Sequence, residues 1–372
     1  MKLLFAIKSL NVRGGGAEKV LVDVANGLVG RGHEVEVLTF DFEGEAFYPL
    51  SDEIARMDMA FNPAGQSMPR LGMIKALPRM RSAIAAANPH VVIAFMHSTY
   101  VPVAAAMLGL PIPLIVSEHT EARHYDTRPI QRRIRQFIDD RAALRTVPSK
   151  TVQSRYARQS ETPCEIVANP VSVESYQVHL GAEPSSQPII ISVGRLMKEK
   201  GHAVLIDAFA NLTDEFPDWQ LRIVGDGVLR PELEAQVKRL RLERKVEMPG
   251  FTRDVGAVYS ASRFVVLPSY YESFGMVAAE ALAAGRAVLS FDDCAGIAEI
   301  VDSGVNGFLA PGASTREGRV AGLADAMRQL MSDPEGCAAM GANGPAAVSR
   351  FSLESVLDTW ERVIKASVQE AD

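Results

Sequence analysis

Cysteine is scarce in this chain of 372 residues, which has only Cys164, Cys294 and Cys337. The three lie far apart and form no Cys-x-x-Cys pair, which excludes a disulfide-stapled scaffold and gives no sign of a zinc or redox site. The first ten residues hold only a five-residue apolar run before Lys8, too short for the core of a signal peptide. We therefore expect a protein of the reducing cytoplasm.

Charged residues are absent from one stretch, His90 to Ser117, which is long enough to cross a membrane. Pro102, Pro111 and Pro113 interrupt it, and its two apolar ends have the length of strands. The sequence therefore predicts a buried strand, helix and strand here and not a membrane span.

The composition is that of an ordinary globular protein, with 47% hydrophobic and 23% charged residues. It excludes a disordered or collagen-like chain, and the length corresponds to about two domains. Apolar runs of strand length alternate with helical patterns, an order typical of parallel sheets covered by helices on both faces. We predict an α/β fold made of two Rossmann-like, doubly wound parallel-sheet domains.

The first strand, a glycine turn, a helix from Ala17 and a second strand form a βαβ unit at the start of the chain. Each later strand is followed by another helical pattern. The predicted strands are Lys2 to Ser9, Val35 to Phe40, Val91 to Phe95, Leu114 to Ser117, Arg145 to Pro148, Glu165 to Ala168, Ile189 to Val193, Leu221 to Val224, Val246 to Met248, Phe264 to Leu267 and Ala287 to Ser290.

Residues 169–187 lose this periodicity and gather proline and serine, which predicts a linker. We expect an N-terminal domain over residues 1–170 and a second domain over 188–350. Residues 351–372 carry a helical pattern and are expected to pack back on the first domain.

Charge is distributed unevenly: the net charge is −6 overall but +9 within residues 54–160. Two segments there, 68–84 and 128–145, combine basic with apolar residues, which fits peripheral contact with an anionic membrane face or with a lipid diphosphate. The alternative is a pair of amphipathic helices whose apolar stripes face the core. Aromatic residues are not interleaved with the basic ones, so we expect no nucleic-acid partner.

The strongest chemical signal is ESFGMVAAEALAAG, residues 272–285, which follows the apolar strand FVVLPS after two tyrosines. Glu272 lies at the strand-to-helix turn, and Glu280 lies about one turn into the helix. The backbone N–H groups of Phe274, Gly275, Met276 and Val277 would point to the carboxyl edge of the sheet, where an anion is favoured. This arrangement suits a nucleoside diphosphate. The plain alternative is a helix N-terminus with acidic residues favoured by the helix dipole.

These motifs, taken in order, resemble the family 4 glycosyltransferases, retaining enzymes of the GT-B architecture in which two Rossmann-like domains face a cleft. The similarity runs through VRGGGAEKVLVDVANGL, SEHT, VGRLMKEKG, IVGDG, PGF, ESFGMVAAEALAAG and AGIAEIVDSGVNGFLAP. Each motif is weak alone, but their order is specific. The stretch FDDCAGIAEIV is similar to members that build bacterial polysaccharides or lipid-linked oligosaccharides, often from UDP-sugars. Where those read Asp-Cys-Pro, this chain has Asp293, Cys294 and Ala295.

The resemblance implies roles for several residues of the second half. Arg195 and Lys200 would hold the donor diphosphate, Glu280 the ribose and Glu272 the donor sugar. Two cations after a strand can also neutralise charge on a leaving diphosphate. The resemblance further implies donor-site positions at Gly225 and, through its backbone at the base, at Phe251.

In the first half, the glycine loop with Gly15 and Gly16 would face the donor phosphate and the acceptor, and His119 would contact the donor sugar. The loop has neither a Rossmann GxGxxG fingerprint nor a P-loop pattern, so a plain tight turn is its alternative. A structural histidine is the alternative for His119, and Glu118 is a weaker candidate.

The implied activity is retaining transfer of a hexose from a nucleoside diphosphate sugar, with a UDP-sugar as the expected donor, to an acceptor hydroxyl on a lipid-linked or polysaccharide glycan. The family suggests a front-face substitution. No metal-ligand spacing occurs, so we expect neither a metal nor another cofactor. Two alternatives share the architecture: a sugar-nucleotide 2-epimerase and a non-catalytic nucleotide-sugar-binding protein. We expect a cytoplasmic protein, and the basic segments leave open a position at the inner face of the membrane.

Overall fold

The computed structural model describes residues 1–42, 44–61, 70–119, 129–158, 160–177 and 188–369. The chain divides into two compact units. The first comprises Met1–Pro170 together with Leu353–Asp372, and the second comprises Val171–Ser352. Each unit has its own parallel sheet, so the prediction of two parallel-sheet α/β domains is confirmed.

The sheet of the first unit contains β1 (Lys2–Ile7), β2 (Glu34–Thr39), β3 (Ala55–Asp58), β4 (Val91–Phe95), β5 (Leu114–Ser117), β6 (Leu144–Val147) and β7 (Cys164–Ile166). The strands are parallel and lie in the order β3-β2-β1-β4-β5-β6-β7. The order reverses between β1 and β4. Ligands of open α/β sheets bind at the carboxyl ends of strands near such a reversal.

The helices of this unit are α1 (Gly16–Gly30), α2 (Arg70–Ala87), α3 (His97–Ala106), α4 (Pro129–Asp139), α5 (Lys150–Ala157) and the C-terminal helix α15 (Leu353–Gln369). Helix α15 packs against α1 and buries Trp360 and Ile364. A Cβ on Gly27 of α1 would lie 2.6 Å from Leu357 Cδ1, so a glycine there lets the two helices approach. Arg31 at the end of α1 pairs with Asp358 over 2.8 Å.

The uncharged stretch from His90 to Ser117 forms β4, α3 and β5, as the prolines and segment lengths predicted. Both strands are buried along their whole length in the sheet. Within the described parts of the chain, no helix has both the length and the apolar character needed to span a bilayer.

The sheet of the second unit contains β8 (Ile189–Val193), β9 (Gln220–Val224), β10 (Val246–Gly250), β11 (Phe264–Leu267), β12 (Ala287–Phe291) and β13 (Gly307–Ala310), in the order β10-β9-β8-β11-β12-β13. Its helices are α6 (Val173–Gln177), α7 (His202–Ala210), α8 (Arg230–Arg239), α9 (Val255–Ser260), α10 (Met276–Ala283), α11 (Ala295–Ala298), α12 (Arg316–Ser332), α13 (Pro334–Ala342) and α14 (Gly344–Val348). Here the order reverses between β8 and β11, the strands that precede the VGRLMKEKG and ESFGMVAAEALAAG motifs.

The structure differs from the sequence-based prediction in three places. Strands β3 and β13 were not predicted. Both are four-residue edge strands, and each contains residues that are not fully buried. The stretch 169–187 is not wholly a linker, because α6 lies in it and packs against α10. Helix α6 is held there by Tyr176, whose ring lies 6.1 Å from that of Tyr259. Residues 178–187 lie outside the described residues.

The apolar side chains of the two basic segments are mostly buried and do not form one exposed surface. On α2, Met80 and Ile84 are buried in the core while Ile74 is 62% exposed. On α4, Ile138 is buried and Phe137 packs against the same core. The apolar residues of the described part of α4 therefore face the core, and among the described side chains of the two segments it is Ile74 of α2 that exposes a large apolar group beside basic residues.

Candidate functional site

Glycines allow the loops at the carboxyl edge of the second sheet to pack backbone against backbone. Gly225, after β9, has φ +141°, and a Cβ there would lie 2.0 Å from the carbonyl oxygen of Gly194. Gly201 has φ +70°, and its Cβ would lie 2.1 Å from the carbonyl oxygen of Pro268. No side chain fits at either place. The loops that carry Arg195, Lys200 and Glu272 are therefore in direct contact.

Glu272 lies in the loop after β11, where one of its oxygens is engaged by two donors. Lys200 Nζ donates to Oε1 over 2.6 Å, and Ser269 Oγ donates to the same oxygen over 2.9 Å. Within the described residues, no hydrogen bond reaches Oε2. The carboxylate is thus fixed from one side, with about a fifth of its side-chain surface exposed.

Arg195 follows the end of β8 by two residues and is exposed. In the part of the chain that the structure describes, its guanidinium forms no ion pair. Its charge lies close enough to Tyr271 to favour the ionised phenol, although burial is the larger influence and raises the pKa of Tyr271. Arg195 therefore offers an unneutralised cation beside the loop of Glu272.

Helix α10 begins next to this pair. Gly275 caps it with φ +96°, and a Cβ at that position would lie 2.8 Å from Ile297 Cγ1. Met276 and Val277 form the first turn, in which backbone N–H groups have no acceptor inside the helix and favour an anion. The Phe274 side chain is buried and contacts Phe351, with ring centroids 5.1 Å apart, so only its backbone can serve a ligand.

Glu280 lies on the second turn of α10 and is partly buried. The hydroxyl of Tyr259 donates to its Oε2 over 3.3 Å. Burial and the nearby carboxylate raise the pKa of Tyr259 well above its ordinary value, so the phenol keeps its proton and remains a donor. No sequence pattern indicates this contact, because Tyr259 lies in a different helix, 21 residues before Glu280.

Phe251 directly follows β10 and is 46% exposed. The loop that carries it is tied to the loop after β9, since the Gly225 N–H donates to the Gly250 carbonyl over 2.9 Å. Arg230 links the loop after β9 to strand β10 by donating to the carbonyl oxygens of Gly225 and Met248. Gly225 thus acts through its backbone. Phe251 lies at the carboxyl end of β10, the strand that neighbours β9.

Sequence reasoning missed a buried arginine in the same unit. Arg319 on α12 is 3% exposed and donates to both carboxylate oxygens of Asp293, over 2.8 to 3.1 Å. Its guanidinium lies 4.6 Å from the Tyr270 ring centroid and 4.1 Å from that of Phe291. It therefore braces the loop after β12 against the loop of Glu272. No motif links positions 293 and 319, so only the structure reveals the contact.

In the first unit, His119 lies just beyond the end of β5. Its ring stacks on Phe95 with centroids 4.9 Å apart, and its Nε2 lies 3.0 Å from Ser117 Oγ. Burial lowers the pKa of His119 to about 4, although the side chain of Asn169 acts in the opposite direction. The imidazole is therefore neutral at pH 7 and suited to hydrogen bonding, not to electrostatic attraction.

Glu118 is completely buried and has a structural environment. It accepts hydrogen bonds from Tyr100 over 2.6 Å and from Tyr156 over 3.1 Å. The guanidinium of buried Arg145 stacks over the Tyr156 ring at 4.2 Å. Glu118 thus holds the end of β5 in place, and its neighbour His119 is partly exposed.

The glycine loop precedes α1. Gly15 caps the helix, and a Cβ there would lie 2.0 Å from Glu18 Oε2, whereas Gly16 has open space around its Cα. The start of α1 therefore has open space at Gly16, while the Glu18 carboxylate lies over Gly15. Among the residues that the structure describes, no group of three His, Cys, Asp or Glu side chains is placed to hold a metal ion.

Comparisons with known proteins agree with these features. A model of Glycosyltransferase Family 4 matches residues 14–175, and a model of Glycosyl transferases group 1 matches residues 180–347. The GalNAc-alpha-(1->4)-GalNAc-alpha-(1->3)-diNAcBac-PP-undecaprenol alpha-1,4-N-acetyl-D-galactosaminyltransferase of Campylobacter jejuni is 28% identical over 292 residues, which cover 76% of this chain and 77% of the relative.

Two solved structures share the fold over almost the whole chain. Sucrose-phosphate synthase of Thermosynechococcus elongatus aligns with a TM-score of 0.81 at 20% identity, covering 98% of both chains. Anabaena HepE in complex with UDP-glucose aligns with a TM-score of 0.77 at 23% identity, covering 98% of this chain and 100% of HepE. At these sequence identities, the structural similarity establishes the fold of this chain and no more.

Proposed function

The chain belongs to the family 4 glycosyltransferases of the GT-B fold, and we propose that it transfers a hexose from a UDP-sugar to a hydroxyl of a lipid-linked or polysaccharide glycan. The observation that carries the proposal is the arrangement at the edge of the second sheet. There the Lys200–Glu272 pair lies beside the start of α10, and Glu280 lies one turn further along that helix.

The donor diphosphate is proposed to bind at Arg195, Lys200 and the N-terminus of α10. Negative charge grows on the diphosphate as the bond to the sugar breaks. Fixed cations and a helix N-terminus stabilise such charge without reorganising during the reaction. Lys200 shares its charge with Glu272, so the exposed Arg195 supplies the larger net positive charge to the phosphates.

Glu272 is proposed to bind a hydroxyl of the donor sugar, and Glu280 the ribose hydroxyls. Carboxylate oxygens are strong acceptors for hydroxyl groups. The Glu272 carboxylate is ion-paired with Lys200, which suits an acceptor of hydrogen bonds better than a covalent nucleophile. We therefore propose retention by front-face substitution, in which the acceptor attacks from the side that the diphosphate leaves. His119 is proposed to hydrogen-bond a sugar hydroxyl through its neutral ring.

One comparison supports a UDP-sugar donor and another supports a lipid-linked acceptor. One fold neighbour was solved with UDP-glucose, and the Campylobacter jejuni relative is named for a reaction on an undecaprenol-diphosphate glycan. Because the proposed diphosphate site uses cations of the protein, we propose that transfer needs no divalent metal. The exposed basic face of α2, with Ile74, Lys75 and Arg79, is proposed to meet an anionic membrane surface.

The test is a thermal-shift screen with UDP, GDP and ADP and with their sugar conjugates, each in EDTA and in magnesium. Ligand binding to the folded state raises its apparent stability. We expect a shift with UDP and UDP-sugars that persists in EDTA. A shift with GDP or ADP alone would reject the proposed donor, and a shift only in magnesium would reject metal independence.

Product analysis then separates the enzymatic alternatives. Incubation of the selected UDP-sugar with an undecaprenyl-diphosphate glycan should give a lengthened glycan with the anomeric configuration of the donor. Conversion of the sugar nucleotide without acceptor would indicate a 2-epimerase. Binding without any product would indicate a nucleotide-sugar-binding protein.

A further inference from the structure

Each of the two acidic side chains proposed to bind the donor has a buried hydroxyl donor of its own. Ser269 donates to Glu272 and Tyr259 donates to Glu280. Ser269 is 2% exposed and Tyr259 is fully buried, so neither side chain has the surface to serve as a main contact for a ligand. Their hydroxyl groups instead fix the direction of the carboxylates.

At Glu272, both protein donors converge on the same oxygen. Ser269 Oγ and Lys200 Nζ lie 2.9 and 2.6 Å from Oε1, while Oε2 has no hydrogen-bond partner within the described residues. Two donors on Oε1 restrict rotation about the last side-chain bond. They therefore leave Oε2 in a defined direction as the acceptor for a ligand hydroxyl.

At Glu280, the restraint comes from another helix. Tyr259 lies at the end of α9, and its backbone carbonyl is itself fixed by Arg286 Nε over 3.0 Å. Its ring contacts Tyr176 of α6. The backbone of Tyr259 is therefore fixed by a hydrogen bond and its ring by packing, and its hydroxyl reaches Glu280 Oε2 over 3.3 Å.

We propose that Ser269 and Tyr259 are positioning residues that divide donor recognition: Ser269 sets the sugar selectivity through Glu272, and Tyr259 sets the ribose selectivity through Glu280. The proposal rests on the proposed function of the two carboxylates. The two hydroxyls lie on different elements, the loop after β11 and helix α9, and act on different carboxylates. Each can therefore be removed without disturbing the other.

The experiment measures affinity ratios by calorimetry for the wild type, Ser269→Ala and Tyr259→Phe. The probes are UDP, 2′-deoxy-UDP and three UDP-sugars, namely UDP-glucose, UDP-N-acetylglucosamine and UDP-N-acetylgalactosamine. A hydrogen bond to a charged group contributes enough that its loss changes affinity by about 10-fold. Ser269→Ala should lower the ratio of UDP-sugar to UDP affinity by about 10-fold and leave the ratio of UDP to 2′-deoxy-UDP unchanged. Tyr259→Phe should lower the ratio of UDP to 2′-deoxy-UDP affinity by about 10-fold and leave the ratio of UDP-sugar to UDP affinity unchanged.

Ser290→Ala is the matched control. Ser290 is a buried serine on the adjacent strand β12, and its hydroxyl donates to the Leu267 carbonyl over 2.8 Å and not to a carboxylate. It should change neither ratio. Thermal melts of all variants report folding, and because each result is a ratio of two ligands, a general loss of structure cannot imitate it.

The outcomes separate this proposal from the one it rests on. A wild type that binds none of the five probes overturns the proposed function and this inference with it. A wild type that binds UDP and distinguishes the sugars, with variants whose two ratios match the wild type, overturns only the positioning role. Variants that lower both ratios together show that the hydroxyls support the loop structure in general, which also contradicts a divided role.

Discussion

The ammonium of Lys200 lies 2.6 Å from Oε1 of Glu272, and this contact joins the loop after β8 to the loop after β11. The two residues are 72 positions apart in the chain. With both side chains about one fifth exposed, the pair is partly shielded from solvent screening. The diphosphate and sugar ends of the proposed donor site are thus electrostatically coupled before any ligand binds.

This coupling predicts a non-additive double-mutant cycle. Lys200→Met and Glu272→Gln should each lower kcat by about 100-fold, the size expected for loss of one fixed electrostatic contact to a transition state. Because each variant also breaks the ion pair, the double variant should lose clearly less than the product of the two effects. The readout is kcat of the transfer reaction for the four proteins. A fully multiplicative loss would mean that the two side chains act independently.

The two carboxylates should differ in what they affect. Glu280→Ala should weaken UDP binding by about 10-fold, because it removes a charged acceptor for hydroxyl groups. Glu272→Ala and His119→Ala should lower kcat more than they weaken UDP binding, since their proposed contact is the sugar. Calorimetry with UDP and steady-state kinetics check the two parts. Equal and negligible effects from all three variants would refute the site assignment.

Most strands of the two sheets, and the loops that carry the proposed site residues, could be predicted from local sequence. Buried strands such as β4 and β8 are continuous apolar runs, which a chain pattern reveals. The contacts that orient the site side chains could not be predicted. Tyr259 to Glu280 and Arg319 to Asp293 join separate elements, and their residue types also fit ordinary surface or core positions.

The sequence also did not predict edge strand β3 or helix α6, and the reason is physical. Strand β3 reads Ala-Arg-Met-Asp, four residues in which Ala and Asp are poor strand formers, and it is stabilised by its backbone pairing with β2. Helix α6 has only five residues and is stabilised by the packing of Tyr176, not by its own propensity. Tertiary contacts form both elements, so no local pattern predicts them.

Gly225→Ala should be far more damaging than a substitution at a glycine that also has positive φ but has free space around it. Gly304 has φ +83°, and a Cβ there would meet nothing within 4 Å, so Gly304→Ala should cost about 1–2 kcal/mol through its backbone alone. At Gly225 the Cβ would also collide with the Gly194 carbonyl oxygen, so we expect roughly 3 kcal/mol or more. Urea unfolding of both variants gives the comparison. UDP affinity should fall only for Gly225→Ala, and equal losses of stability would contradict the close loop packing.

Acid should destabilise the protein before its carboxylates titrate. Burial lowers the pKa of His119 to about 4 and, with the charge of Lys200, that of His202 to about 3. The unfolded chain binds protons at these histidines below about pH 6.5, and the folded chain does not until about pH 3 to 4. The free energy of unfolding should therefore fall as the pH decreases from about 6.5 to about 4, and be fully retained above about 6.5.

The variant His202→Gln should flatten this pH dependence, whereas His90→Gln, at an exposed histidine, should not. Urea unfolding at several pH values between about 7 and about 5 measures the slope. Parallel slopes for His202→Gln and the wild type would show that the buried ring does not supply the effect.

The exposed face of α2 predicts salt-sensitive binding to anionic vesicles. Ile74 is 62% exposed, and Lys75, Pro78 and Arg79 share its side of the helix. A basic residue near an anionic surface contributes about 1 kcal/mol, so Lys75→Gln with Arg79→Gln should lower the partition coefficient about 30-fold. Ile74→Ser should lower it further by removing apolar insertion. Sedimentation with phosphatidylglycerol vesicles at low and high salt measures each effect.

The matched control exchanges two exposed basic residues on a helix of the second unit, Lys238→Gln with Arg239→Gln on α8. It makes the same change in net charge, so any difference between the two double variants reflects the position of the charge. The α8 variant should bind vesicles as the wild type does. If both double variants lose binding equally, attraction depends on total charge and α2 is not the contact surface; if neither loses binding, the membrane is met elsewhere or not at all.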